Sequence, residues 1–169
     1  LLLAGVAFGD FNPSYLPGGD EVKEAVEARR GKTELSKLAD SLEPGTWAEL
    51  KTGMNGGIWS APPPSKGLTI GTLSDDAHWD SRTGQFIYFG VRQTRKLIAY
   101  SEVSNAWRVI QFHTLTNAPA LLQKFGHQYS NNSLDPERSR YFTGASGYDI
   151  RSNTWFRLEA SNKPAGGSS

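Results

Sequence analysis

The densest run of side chains able to do chemistry is Ser74-Asp75-Asp76-Ala77-His78, two carboxylates beside an imidazole. Such a set can bind a cation or exchange protons with a substrate. A second polar run, His127, Tyr129, Asn131 and Asn132, follows further along the chain. Gly71–Asp80 aligns without gaps to Gly126–Asp135, which sets Asp76 opposite Asn131 and His78 opposite Ser133. The two runs differ in chemistry yet keep the same turn-forming residues. They therefore read first as polar groups satisfying the backbone at strand ends, and second as a ligand site. Asp75, Asp76, His78, His127, Tyr129, Asn131 and Asn132 are the ligand-binding candidates, and no catalytic residue is assigned.

The third histidine, His113, does not join the others at a spacing that a helix or hairpin would turn into a metal motif. The chain has no Cys, which removes thiolate metal sites, disulfides and a cysteine nucleophile. No nucleophile elbow, phosphate-cradling glycine loop or zinc helix motif occurs. No metal or other cofactor is expected.

What positions these residues is a repeat. Tyr100-Ser-Glu-Val-Ser-Asn-Ala-Trp107 recurs as Tyr148-Asp-Ile-Arg-Ser-Asn-Thr-Trp155, so Tyr100, Asn105 and Trp107 correspond to Tyr148, Asn153 and Trp155. Each Trp opens a strand-like ending, Trp107-Arg-Val-Ile110 and Trp155-Phe-Arg-Leu158. A weaker copy of that ending, Trp47-Ala-Glu-Leu50, follows the turn pair Pro44-Gly45. Upstream, Asp80-Ser-Arg-Thr-Gly84 and Asp135-Pro-Glu-Arg-Ser139 are turns, each leading into an aromatic strand. Strands are expected over 85–91, 96–100, 106–112, 140–143 and from 148, with a tight corner over 144–147. A period of roughly 50 residues built from strands points to stacked sheet units.

Ahead of the repeat lies a different kind of chain. Asp20 is placed to cap a helix with Val22, Ala25 and Val26 on one stripe. Arg29 takes the next position and cuts the apolar face short. Thr33 caps a second helix, whose stripe is Leu35, Leu38, Ala39 and Leu42. The organisation expected is an apolar signal-like remnant and loop over 1–19, a helical preface over 20–43, sheet units over 44–160 and a flexible tail over 161–169. Within 44–160 the units cover about 68–112 and 124–160, with an extra strand at 46–51. Pro62 to Pro64 stiffen the connection between that strand and the first unit.

The paired Tyr/Asn/Trp motifs and the Asp turns resemble the repeats of kelch and galactose-oxidase-like β-propellers. The resemblance implies a mainly β protein: consecutive four-stranded antiparallel blades of an incomplete propeller, with a short N-terminal helical segment. The double glycine typical of kelch repeats is absent, since Phe89-Gly90 and Thr143-Gly144 offer single glycines. The oxidase's copper chemistry needs a Cys that this chain lacks. Remaining blades, completed by the strand at Trp47, are implied partners.

Net charge is +1, so nothing draws the chain electrostatically to nucleic acid, and no apolar run is long enough to span a bilayer. Leu1–Ala7 reads as the end of a signal-peptide core or as a short apolar strand. The first reading implies a secreted, periplasmic or surface location. Three functions fit: a module binding a glycan or a protein, a glycan-active hydrolase or lyase using Asp75 or Asp76, or a purely structural domain.

Overall fold

The computed structural model describes residues 19–53, 58, 77–90, 97–110, 132–144 and 146–158. Its order is two helices, α1 (Gly19–Arg29) and α2 (Glu34–Asp40), then eight strands in two sheets. The first sheet holds β1 (Ala77–Asp80), β2 (Gln85–Phe89), β3 (Leu97–Ser101) and β4 (Ala106–Ile110). The second holds β5 (Asn132–Asp135), β6 (Arg140–Thr143), β7 (Ser146–Asp149) and β8 (Thr154–Arg157). Both are antiparallel meanders in sequence order. Trp107 and Trp155 therefore open the last strands of two separate sheets, as a tandem repeat requires.

The hairpins explain why the sheets share one register. In the first and last hairpin of each sheet, a polar strand-end residue is followed four positions later by one with positive φ: Asp80 and Gly84, Ser101 and Asn105, Asp135 and Ser139, Asp149 and Asn153. The first residue's side chain caps the loop. Asp80 accepts from the amide of Arg82, Ser101 from Ser104, Asp135 from Glu137 and Arg138, and Asp149 from Ser152. The last residue, left-handed at φ 65°, 48°, 53° and 58° in turn, brings the chain back into pairing. Asn tolerates that region far better than most residues with a Cβ.

In the final hairpin of each sheet the asparagine does a second job. The Tyr100 hydroxyl donates to Asn105 Oδ1 at 3.0 Å, and the Tyr148 hydroxyl donates to Asn153 Oδ1. Each tyrosine lies directly across from the tryptophan two residues beyond its asparagine, Tyr100 opposite Trp107 and Tyr148 opposite Trp155. The ring pairs match closely, with centroids 5.5 and 5.2 Å apart and planes at 50° and 48°. Register extends these pairs into full rows, Trp79-Phe86-Tyr100-Trp107 in one sheet and Leu134-Tyr141-Tyr148-Trp155 in the other.

Side chains alternate between sheet faces, so each aromatic row lies on one face only. In the second sheet that face packs on the first sheet: Tyr141, Tyr148, Trp155 and Ile150 form one core with Ile87, Phe89, Leu97, Ala99 and Ile110. In the first sheet the aromatic face packs the other way. Tyr100, Trp107 and Ile98 join Ile58, Leu35 of α2 and Leu50. The stack is thus helical segment, first sheet, second sheet, and both aromatic faces point toward the N-terminal side.

Several expectations need correction. Asp20 does not cap α1, which begins one residue earlier at Gly19 and takes Asp20 into its first turn. Ser146 and Gly147 belong to β7, so the corner between β6 and β7 is shorter than 144–147. Residues 46–51 form no strand. Pairing there is a single parallel bridge from Gly53 to Ala106, with Gly53 N donating to Asn105 O at 2.8 Å and Trp107 N to Gly53 O at 2.9 Å. Trp47 is 72% exposed whereas Trp107 and Trp155 are 5% and 7%, so it does not act as a third copy of them. Thr33 caps α2 as expected, within a capping box closed by Ser36.

Replacing Asn105 separates its two jobs. Asn105→Ala should lower unfolding free energy by about 2 kcal/mol, from left-handed strain of about 1 kcal/mol and a lost hydrogen bond of about 1 kcal/mol. Asn105→Gly should lose only about half as much, since glycine restores the conformation but not the acceptor. Urea melts of the two variants check this; equal losses would contradict it.

Candidate functional site

The two sheets approach most closely through their first strands, β1 and β5. Alternation turns His78 of β1 toward the second sheet and Asn132 of β5 toward the first. His78 meets the Tyr141 ring edge-on at 5.6 Å between centroids. Two candidates read from sequence are thus brought to facing sides of one interface, both half-buried. Asp75, Asp76, His127, Tyr129 and Asn131 lie outside the described residues.

The carboxylates at the hairpin turns are already engaged. Asp80 is fully buried, and its oxygens take the Arg82 amide at 3.3 Å and the Thr83 hydroxyl at 2.5 Å. On the second sheet, burial pushes the carboxyls of Asp135 and Asp149 up, but hydrogen bonds from Arg138 and Glu137, and from Ser152 and Arg140, outweigh it and hold both below the ordinary value. Asp135 and Asp149 are thus turn-capping groups held ionised, not proton donors poised for neutral pH. Among the described residues, no cluster of His, Cys, Asp or Glu could hold a metal ion.

A second polar cluster joins the helices to the first sheet. Glu102, 7% exposed, accepts from Arg29 Nε at 3.0 Å and from the Thr33 hydroxyl at 2.6 Å. The same guanidinium reaches the carbonyls of Arg82, at 3.1 Å, and Ser81, so one arginine spans the first and last hairpins of the sheet. Gly84 makes room for it: a Cβ there would lie 2.7 Å from Arg29 Nε and 2.8 Å from Glu102 Oε2. Arg29 breaks the apolar stripe of α1 because its role is this clasp, and that interruption was the signal available in the sequence. With both oxygens of Glu102 bound, the cluster is a fastening rather than a site for acid–base chemistry.

Arg108 fastens the two sheets in a comparable way. It donates to Asn153 Oδ1 at 2.9 Å, to the Tyr148 hydroxyl at 3.1 Å and to Gln85 Oε1 at 3.0 Å. A charged donor thus seats on the Tyr–Asn pair of the next sheet. Nothing in the sequence marked it, since it stands in an ordinary strand position after Trp107.

The chain matches no family model, no curated protein and no solved structure. No described helix is long and apolar enough to cross a membrane.

The buried tyrosines give a pH test. Burial first, then the charges of Glu102 and Glu34, push Tyr100 up to about 12; burial also raises Tyr148, opposed by Arg108. A raised tyrosine favours the fold while protonated, so that stability is complete below the ordinary value of 10.0 and is lost as pH climbs toward 12. Tyrosinate absorbance should rise in two steps, the later one coinciding with loss of the β circular-dichroism signal. One step near pH 10 for all six tyrosines, with the fold intact, would contradict this.

Proposed function

We propose that this chain is part of a kelch-like β-propeller that serves as an exported ligand-binding module, with a glycan as the ligand class. The observation carrying the reading is the stacking sense. Two four-stranded meanders present the same face toward the N-terminal side and come closest at their first strands. This arrangement supports reading the sheets as wedges around an axis, and a propeller's first strands line the central channel where a ligand would bind. His78 and Asn132, both half-buried, would contribute hydrogen-bonding groups at that lip, with the buried Tyr141 ring backing the imidazole. Sugars are recognised by directional polar groups of this kind.

A glycan-active enzyme is less well supported. Its carboxylates, Asp75 and Asp76, fall outside the described residues, and Asp80 is occupied by its own turn. Export rests on Leu1–Ala7 and is checked by fractionating cells that express the complete protein; a purely cytosolic product would refute it.

A glycan array probed with the chain tests the binding. The expected result is a set of oligosaccharides whose retention falls at least tenfold in both His78→Ala and Asn132→Ala, each with an unchanged melting temperature. Glycan binding indifferent to both substitutions would remove the lip as the site. A silent array alongside a protein captured through the same residues would replace the ligand class.

A further inference from the structure

The second sheet has a face that the first sheet's packing explains. Opposite its aromatic row stand Arg140, Phe142, Gly147, Asp149 and Phe156. By register these are the counterparts of Gln85, Ile87, Ala99, Ser101 and Arg108, the face of the first sheet that the second sheet covers. We propose that this outer face is a docking surface for a further four-stranded sheet of the same repeat, received on its Tyr/Asn/Trp face. The proposal rests on the stacking reading above and not on its ligand.

Continuity with the internal interface is the first argument. In the first sheet, Arg108 contacts Gln85 and projects onto the Tyr148–Asn153 pair of its neighbour. In the second sheet the same two positions carry Phe156 and Arg140, so the cation has moved across the face while the pair of positions still holds one arginine. Its guanidinium carbon lies 5.3 Å from the Phe156 ring centre, and Nε donates to Asp149 Oδ2 at 3.3 Å. Held between a ring and a carboxylate, that side chain is oriented while still 44% exposed. It is the donor a neighbour's tyrosine hydroxyl and asparagine carbonyl would meet.

Filling of the sheet surface is the second. Phe156 lies across β7 directly over Gly147, where a Cβ would come within 2.1 Å of the ring, and it meets Phe142 edge-on at 6.0 Å. Glycine at the place of Ala99 lets the ring reach over the neighbouring strand. A half-buried pair of rings beside the Arg140–Asp149 ion pair suits another sheet, and stacked repeats gain stability through such nearest-neighbour contacts.

The test extends the chain by a copy of residues 111–158 joined after Leu158. The expected result is a single, more cooperative unfolding transition, raised by at least 5 °C, with the added tryptophan's emission blue-shifted. Arg140→Ala in the first copy of the unit should remove at least half of that rise, yet shift the unextended chain by no more than about 1 °C. An added unit that stays unfolded, or melts on its own without raising the rest, is repeated with residues 68–110 as the added unit. The same outcome there overturns the proposal. So does an Arg140→Ala effect of equal size in both chains, or an oligosaccharide bound by the unextended chain and lost in Phe156→Ser. A silent glycan array together with a raised transition would refute the ligand reading and leave this one standing.

Discussion

A tyrosine hydroxyl donating to the carbonyl of an asparagine five residues later is the interaction on which the rest of this fold depends. The asparagine must be left-handed to close its hairpin, and the hydrogen bond holds it there while giving the buried hydroxyl's proton an acceptor. Once closed, the hairpin sets the tryptophan opposite the tyrosine, and that pair fixes register for the strands before it. A slip by one residue would turn the whole aromatic row to the other face. Local turn chemistry thereby decides a global property: which side of each sheet is the adhesive one.

The two aromatic faces meet different neighbours, and the residues beside them reflect this. The position after β3 is Glu102, and that after β7 is Ile150; both amides bond back to the residue that closes the sheet's first hairpin, Glu102 N to Gly84 O at 2.8 Å and Ile150 N to Ser139 O at 2.9 Å. The backbone is the same. Glu102 faces the helices and binds Arg29 and Thr33, whereas Ile150 faces the first sheet and joins its core. A short helix pair cannot offer a sheet-sized apolar surface, so part of the contact is made by charge. A buried carboxylate is tolerable there because both its oxygens are matched.

Much of this was legible in the residues because turns announce themselves chemically. The Asp turns at Asp80 and Asp135, the cap at Thr33 and the Tyr/Asn/Trp spacing each have a local cause and occur where expected. What was misjudged depends on tertiary context. Trp47 shares the tryptophan ending but has neither a tyrosine partner across a ladder nor an asparagine before it, and it stands exposed. Gly147 looked like a corner because glycine usually bends a chain; here it lies inside β7 under Phe156, a relation between strands that a linear reading does not display. Of the ligand candidates, His78 and Asn132 lie where the sheets converge; of the two arginines that fasten the layers, Arg29 showed only as a break in an apolar stripe and Arg108 carries no sequence signature.

Stacking in one sense, with each unit's Tyr–Asn pair seated on the preceding unit, is the central claim. Its most direct test is a double-mutant cycle between Arg108→Ala and Tyr148→Phe, read by urea unfolding, because the guanidinium-to-hydroxyl contact at 3.1 Å joins the two sheets. The account predicts a favourable coupling of about 1.5 kcal/mol, the lower end for a hydrogen bond to a charged group. Strictly additive losses would mean that these two residues do not meet across the interface, and that the sheets are not stacked as described.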